Sequence, residues 1–342
     1  MGKKSPNFKE TGIHVSLFGV LVLRDGRLMK VTDLDFIKEV NTTIFSNIKI
    51  KRDSNRNLYL ELEEHHHPLT FVFDEEYNCK VDIDGISYLF VLENPWERVD
   101  LESNEIIPEN NIEKLAIRDL KTLSGEYELH LDIIPEPYWG DIVNANVFIL
   151  SGNPGYGEIE DGFRKNGELI AKIQDNLNQT SPTNLTSPNL LWIEEPVKIK
   201  NGNTPHPGYG FWKKMMGAIL EKEKEPNICV IEFFPYHSQK IAGEMKTCAM
   251  TLPSSDYINY FIEKAIHDKK WIVIARCKSE WLNRINGLKH YKNTTNKVLV
   301  TKGQTMKLTE NNLQKEVDLG ADSPAGAPTW QEFLKACQKN NQ

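Results

Sequence analysis

Apolar and polar residues alternate along Leu58-Tyr-Leu-Glu-Leu-Glu, and the same texture returns at Thr70-Phe-Val-Phe, Cys79-Lys-Val-Asp-Ile-Asp and Ile86-Ser-Tyr-Leu-Phe-Val-Leu. Successive strand residues point to opposite faces, so a period of two predicts half-buried strands. Turn signals such as Asp84-Gly85 and Glu93-Asn94-Pro95 separate them. Residues 13–132 therefore read as mostly β, a small sandwich or barrel. Helices are expected there only at 34–40 and 110–121. The triplet His65-His66-His67 invites a metal reading, but consecutive strand residues cannot converge on one ion. With Pro68 next, it reads instead as a hairpin loop.

Beyond the turn-rich stretch 133–141 the pattern changes. Val147-Phe-Ile-Leu, Ile228-Cys-Val-Ile, Trp271-Ile-Val-Ile-Ala and Val298-Leu-Val are continuous apolar runs. Such runs predict strands buried on both faces, as in a parallel or mixed sheet covered by helices. Helical spacing supports this: Ile258, Phe261, Ile262 and Ala265 share one face behind the cap candidates Ser254 and Ser255. Thr329-Trp-Gln-Glu332 has the form of a capping box. Residues 179–189 read as a polar loop. The expected organisation is a β-rich accessory domain over 1–132 followed by an α/β domain over 133–342.

Composition changes this picture little. The 342 residues suit two domains. No run of roughly 20 apolar residues suggests a membrane span, and the basic start MGKKSPNFKE lacks the apolar segment of a secretory signal. Five cysteines, at 79, 229, 248, 277 and 337, are scattered and never spaced C-x-x-C. This points to a reducing, cytoplasmic setting without a structural metal. Charge matters more. The net charge is −7, yet residues 61–128 carry 18 Asp/Glu against 5 Lys/Arg, whereas residues 266–316 carry 11 Lys/Arg against 4 Asp/Glu. Two solvated faces explain the asymmetry more simply; a phosphate-facing half is the alternative. The acidic N-terminal part would then suit a protein partner.

The candidate chemistry lies after the first α/β strand, in Ser151-Gly-Asn-Pro-Gly-Tyr-Gly-Glu158. Ligands of open α/β sheets sit beyond the carboxyl ends of strands, and glycines there expose N–H groups for an anion. The order is not G-x-G-x-x-G and no Gly-Lys-Ser/Thr follows, so dinucleotide and P-loop readings both fail. An ordinary tight turn remains the alternative.

Gly152-Asn153-Pro154-Gly155 is similar to the first motif of the uracil-DNA glycosylase superfamily, in the branch with asparagine at the water-holding position. Pro135-Glu-Pro-Tyr-Trp-Gly140 and Tyr156 resemble that motif's flanks. Ile231-Glu-Phe-Phe-Pro-Tyr-His-Ser238 resembles a pocket strand of bacterial members. Thr301-Lys-Gly-Gln-Thr-Met-Lys-Leu-Thr309 occupies the place of the second catalytic loop, but without its His and Pro. The resemblance covers about residues 133–320. It implies a three-layer α/β/α domain that hydrolyses the bond between a flipped-out base and its sugar, with no cofactor and no metal.

The resemblance also implies roles. Asn153 would orient the attacking water, with Glu158 and Asp161 as alternative bases or simply surface carboxylates. Gly152, Pro154 and Gly155 would shape the base pocket, and Tyr156, Phe234 and Tyr236 would wall it. His237 and Ser238 would hydrogen-bond the base edge or a phosphate, with Lys240 beside them. Lys302, Gln304 and Lys307 would hold phosphates of double-stranded DNA, while Met306 or Leu308 wedges into the gap. Glu232, if ionised, would not help a departing anion, but would suit an amino group such as cytosine N4. Uracil and modified pyrimidines, including glucosylated hydroxymethylcytosine of phage DNA, are all open as substrates. Two other classes stand beside this reading: a DNA sensor on a degenerate fold, and a hydrolase of free nucleotides or nucleosides.

Overall fold

The computed structural model describes residues 18–24, 27–30, 49–52, 58–62, 65–68, 70–71, 73, 79–83, 86–92, 94–108, 111–157, 166–178, 207–303, 305–316 and 328–338. The chain divides into two compact units. One holds residues 1–95 with 109–111, the other 96–108 with 112–342.

The first unit is β-rich, as its alternating pattern predicts. Its strands are β1 (Phe18–Arg24), β2 (Arg27–Lys30), β3 (Lys49–Arg52), β4 (Leu58–Leu62), β5 (His65–Pro68), β6 (Thr70–Phe71), β7 (Cys79–Ile83) and β8 (Ile86–Leu92). They form a five-stranded sheet in the order β2-β1-β8-β7-β6 and a three-stranded sheet β3-β4-β5. The histidine triplet is not a loop: it pairs antiparallel with β4, His67 opposite Leu60 and His65 opposite Leu62. Pro68 ends this strand at its margin, where a missing N–H costs least. The helix expected at 34–40 lies outside the described residues.

The second unit begins at Trp96, well before the boundary expected after residue 132. Its α1 (Asn111–Leu120) matches the helix expected at 110–121. The stretch 133–141 is not a linker. Tyr138–Trp139 form β9, the edge of a six-stranded sheet that continues with β10 (Val147–Leu150), β11 (Ile228–Ile231), β12 (Trp271–Ile274), β13 (Val298–Thr301) and β14 (Leu313–Gln314). The order is β14-β13-β12-β10-β11-β9. The inner four strands run parallel, and β9 and β14 are antiparallel edges. Prolines 135 and 137 are tolerated because they precede an edge strand. Gly140, at φ +89°, turns the chain where a side chain would collide with the Ile228 carbonyl oxygen.

Every residue of β10 and β11 is buried. Each such aliphatic side chain contributes about 1.5–3 kcal/mol of burial, which is why these strands read as unbroken apolar runs. The helices that follow α1 are α2 (Gly167–Asn178), α3 (Pro207–Leu220), α4 (Gly243–Ala249), α5 (Pro253–His267), α6 (Lys278–Arg284), α7 (Leu288–Thr294) and α8 (Trp330–Ala336). The capping box of α8 is present, with Thr329 and Glu332 each bonding the other's backbone N–H. Ser254 and Ser255 are not caps, because Pro253 already opens α5.

Instead, the Ser254 N–H in the first turn of α5 is met by Glu113 of α1, which is wholly buried. The Glu113 carboxylate also accepts from the Tyr236 hydroxyl at 2.8 Å and the Ser254 hydroxyl at 2.6 Å. Burial holds this carboxyl above the usual range against those donors and the Arg284 charge. Arg284 is buried too, bonded to Asn259 and to the carbonyls of Phe233 and Ser255.

Three stability predictions arise here. Glu113→Ala leaves three buried donors without their acceptor and removes the charge that faces Arg284, and is expected to cost about 3–5 kcal/mol in urea denaturation. Tyr236→Phe, which leaves Glu113 its Ser254 bonds, is expected to cost about 1 kcal/mol; equal losses would contradict the network. Lys269, exposed just past α5, sits at φ 55°. Lys269→Gly is expected to stabilise the chain by about 1 kcal/mol in the same assay.

Candidate active site

Strands β10, β11 and β12 run parallel and stop at one edge of the sheet, so the loops that follow them emerge side by side. Backbone bonds carry the sheet pattern into these loops. Ser151 N–H donates to the Ile231 carbonyl at 2.7 Å, Phe234 N–H to the Gly152 carbonyl at 2.9 Å, and Ala275 N–H to the Leu150 carbonyl at 2.8 Å. From behind, the Trp281 indole N–H holds the Ser151 carbonyl at 2.8 Å. The result is a cavity of about 350 Å³, with Asn153 to Gly157, Glu232, His237 and Arg276 among its lining residues.

Asn153 is half-buried and fixed in orientation. Its Nδ2 donates to the Pro154 carbonyl at 2.9 Å, the Ser238 carbonyl at 3.0 Å and the Ser238 hydroxyl oxygen at 2.9 Å. Two of these acceptors are carbonyls, and the hydroxyl spends its proton on the Lys240 carbonyl at 3.0 Å. The amide therefore has one consistent orientation, with nitrogen inward. Its Oδ1 makes no hydrogen bond among the described residues. A rigid, unspent acceptor on a cavity wall can orient a water molecule.

His237 is buried between two backbone carbonyls. Nδ1 lies 2.9 Å from the Gly155 oxygen and Nε2 lies 3.0 Å from the Ile134 oxygen. Only a ring with a proton on each nitrogen satisfies both contacts. The Glu136 carboxylate, 3.8 Å from Nε2, adds to that preference. His237 thus lines the cavity with both ring nitrogens committed to the backbone, not as the donor to a base edge or phosphate that its sequence position suggests.

Glu232 is buried on the same wall. Burial pushes its carboxyl up to about 7, although hydrogen bonds from the Ser151 side chain and the Gly152 backbone, together with the charges of Arg276 and His237, oppose the rise. Its Oε2 is buried without a hydrogen-bond partner. A carboxyl in this state gives or takes a proton near neutrality.

The aromatic walls differ from those expected. Phe234 and Tyr236 do not line the cavity. Both are core residues, packed together at 5.4 Å between ring centroids, and the Tyr236 hydroxyl is committed to Glu113. Phe233 is also buried, under the Arg284 guanidinium at 5.1 Å. Alternation along the chain fails to separate inward from outward here because the sheet is covered on both sides. Tyr156 lines the cavity as expected, stacked on His130 with centroids 3.3 Å apart, and the other walls come from Trp139 and from Phe211 and Trp212 in the first turns of α3. Gly152 lies behind the wall, where a side chain would meet only ordinary contacts; Gly155 faces open space, and neither has positive φ. An anion nest of alternating backbone hands is therefore absent from these two positions.

The other expected contacts scatter. Ser238 is fully buried and serves Asn153, so it cannot touch DNA. Met306 and Leu308 are buried, Met306 as part of the cavity wall, so neither is an exposed wedge. Lys302 and Lys307 are exposed on this same loop, and Lys240 is exposed but paired with Glu126 at 2.7 Å. Glu158, Asp161 and Gln304 lie outside the described residues. Arg276, Gln239 and the Phe211-Trp212 pair were not singled out in the sequence. Arg276 follows a core strand directly, the same rule that pointed to Asn153, whereas nothing in the α3 pattern marks its aromatic pair as facing a cavity.

Among the described residues, no cluster of three or more His, Cys, Asp or Glu is arranged to hold a metal ion. Likewise, no helix among them is long and apolar enough to cross a membrane. Comparison with models of protein families, with curated proteins and with solved structures finds no match.

Proposed function

We propose that this chain is a DNA glycosylase of uracil-DNA-glycosylase type, with a three-layer α/β/α catalytic domain. It hydrolyses the N-glycosidic bond of a flipped-out base, a modified or damaged pyrimidine, and leaves an abasic site. The observation that carries the reading is the fixed Asn153 amide: its nitrogen is turned into the protein by three acceptors, and its oxygen is left for the cavity. Breaking a bond to an anomeric carbon builds positive charge on the sugar. A neutral acceptor that holds a water beneath that carbon supplies attack without demanding a strong base.

The cavity supports the same chemistry. Its volume of about 350 Å³ and its indole and phenol walls suit a planar ring taken out of the base stack. The exposed Lys302 and Lys307 lie on the loop that carries Met306, which supports a role in holding backbone phosphates. Uracil, hydroxymethylcytosine and its glucosylated form in phage DNA are the substrates to compare, in double-stranded DNA. The acidic N-terminal part is assigned a protein partner, and the setting is cytoplasmic. No metal or cofactor takes part.

The test is a panel of DNAs containing uracil, cytosine, hydroxymethylcytosine or glucosylated hydroxymethylcytosine, scored for abasic sites by alkaline cleavage. One substrate is expected to yield abasic sites, and Asn153→Ala to slow that release by roughly 100-fold or more. Salt-sensitive binding with no abasic sites on any DNA would replace this reading with the sensor. Turnover confined to free nucleosides would replace it with the small-substrate hydrolase.

A further inference from the structure

Asn153 accounts for the water but not for the departing base. The third loop of the site lacks a histidine, and among its described residues Met306 is the one that lines the cavity. His237 has both ring nitrogens committed to carbonyl oxygens and has no N–H left to give. A base that leaves as a bare anion would gain the charges of that ring and of Arg276 but no proton.

Besides the Asn153 oxygen, another acceptor atom of the cavity wall is unspent among the described residues. Glu232 is 4% exposed, and its Oε2 has no hydrogen-bond partner among the described residues. An unpaired buried carboxylate oxygen costs several kcal/mol in general, so such an atom asks for a proton or for a ligand. Charged and titratable groups face it from each neighbouring element: His237 after β11, Arg276 and Cys277 after β12, with Glu136 before β9 set against His237.

We propose that Glu232 is the acid that protonates the leaving base, which deepens and rests on the glycosylase reading above. The carboxylic acid gives its proton from Oε2 to a lone pair on the base, at a ring nitrogen or an exocyclic oxygen. The bond from the base nitrogen to C1′ then breaks, and its electron pair stays with the base, which departs neutral. The water held by Asn153 adds its oxygen to C1′ and releases a proton to solvent. Glu232, left as carboxylate, takes a proton back from solvent before the next turnover. The carboxyl value of about 7 keeps much of the acid form at neutral pH. A raised carboxyl is protonated below that value and ionised above it, so this function is present on the acid side and is lost as pH rises through about 7.

The test compares wild type, Glu232→Gln and Glu232→Asp in single-turnover base release from the DNA that the panel identifies, between pH 5.5 and 9 (a range of roughly this width brackets the limb). Wild type is expected to lose rate on the alkaline side. Glu232→Gln is expected to be slower by roughly 100-fold and to lack that limb, and Glu232→Asp to retain it. Replacing the target base by its 5-fluoro analogue, a better leaving group, is expected to shrink the Glu232→Gln deficit to a few-fold. A deficit equal for both leaving groups, or an unchanged pH profile, would overturn the assignment. If Glu232→Gln does not fold, the wild-type limb and its persistence in Glu232→Asp decide. A second measurement does not depend on turnover: calorimetry of free cytosine and free uracil binding at alkaline pH, in buffers of different ionisation heat. Proton uptake on binding, lost in Glu232→Gln, supports the acid. Binding without uptake, or no binding, overturns it, whereas absence of abasic sites on every DNA overturns the glycosylase reading itself.

Discussion

The site depends on the sheet ladder continuing past the ends of its strands. Parallel strands β10, β11 and β12 end together, and the next residues keep exchanging backbone hydrogen bonds, from Ser151 to Ile231, from Phe234 to Gly152 and from Ala275 to Leu150. Loops elsewhere on a protein relax into solvent; these are tied to each other before any side chain acts. Asn153, Glu232 and Arg276 inherit their mutual placement from that ladder. The buried indole of Trp281 and the guanidinium of Arg284 then hold the carbonyls of Ser151 and Phe233, two residues from Asn153 and one from Glu232. A change in α6, which carries both Trp281 and Arg284, is thus a change in the site.

Charge is stacked in depth behind the cavity. The outer layer holds Glu232, His237, Glu136 and Arg276, and the inner layer holds Glu113 and Arg284. The two layers differ in satisfaction. Glu113 accepts from three donors and Arg284 donates to three acceptors, so the inner layer is complete. A complete buried network rigidifies its surroundings. The outer layer keeps an unpartnered Oε2 on Glu232. Such an atom calls for a proton, a bound water or ion, or a role in chemistry.

Much of the fold was legible in the sequence. The four inner strands of the second unit announce themselves as unbroken apolar runs, because burial on both faces leaves no alternation, and the capping box of α8 is a local signal with a local cause. The domain boundary was not legible at residue 132. The turn-formers of 133–141 look like a linker, but their role is to shape an edge strand, and only the pairing of β9 with β11 reveals it. The seed of the site, Asn153 with its glycines and with Glu232 and His237, was visible from motif and strand-end position. The roles of Phe234, Tyr236, Ser238, Met306 and Leu308 were not, since inward or outward orientation at a strand end depends on which helices cover it. Long-range partners such as Glu113, which is 141 residues from Ser254, leave no local trace at all.

The division of labour in the proposed reaction fits the direction of charge movement. In an oxocarbenium-like step the sugar gains positive charge early, and the nucleophile arrives late. A neutral amide that orients water is then sufficient on the sugar side. The larger demand falls on the base side, where a negative charge would otherwise appear in a cavity walled by indoles. The positive charges of His237 and Arg276 lie beside Glu232 there. As it gives up its proton, its carboxylate forms in the field of these charges and is stabilised, so the negative charge grows on Glu232 rather than on the base. The same two cations favour loss of that proton at rest, and burial favours keeping it. With the carboxyl at about 7, the opposing effects leave Glu232 near balance, which is the condition under which a buried acid both holds its proton until substrate arrives and releases it when the bond begins to break.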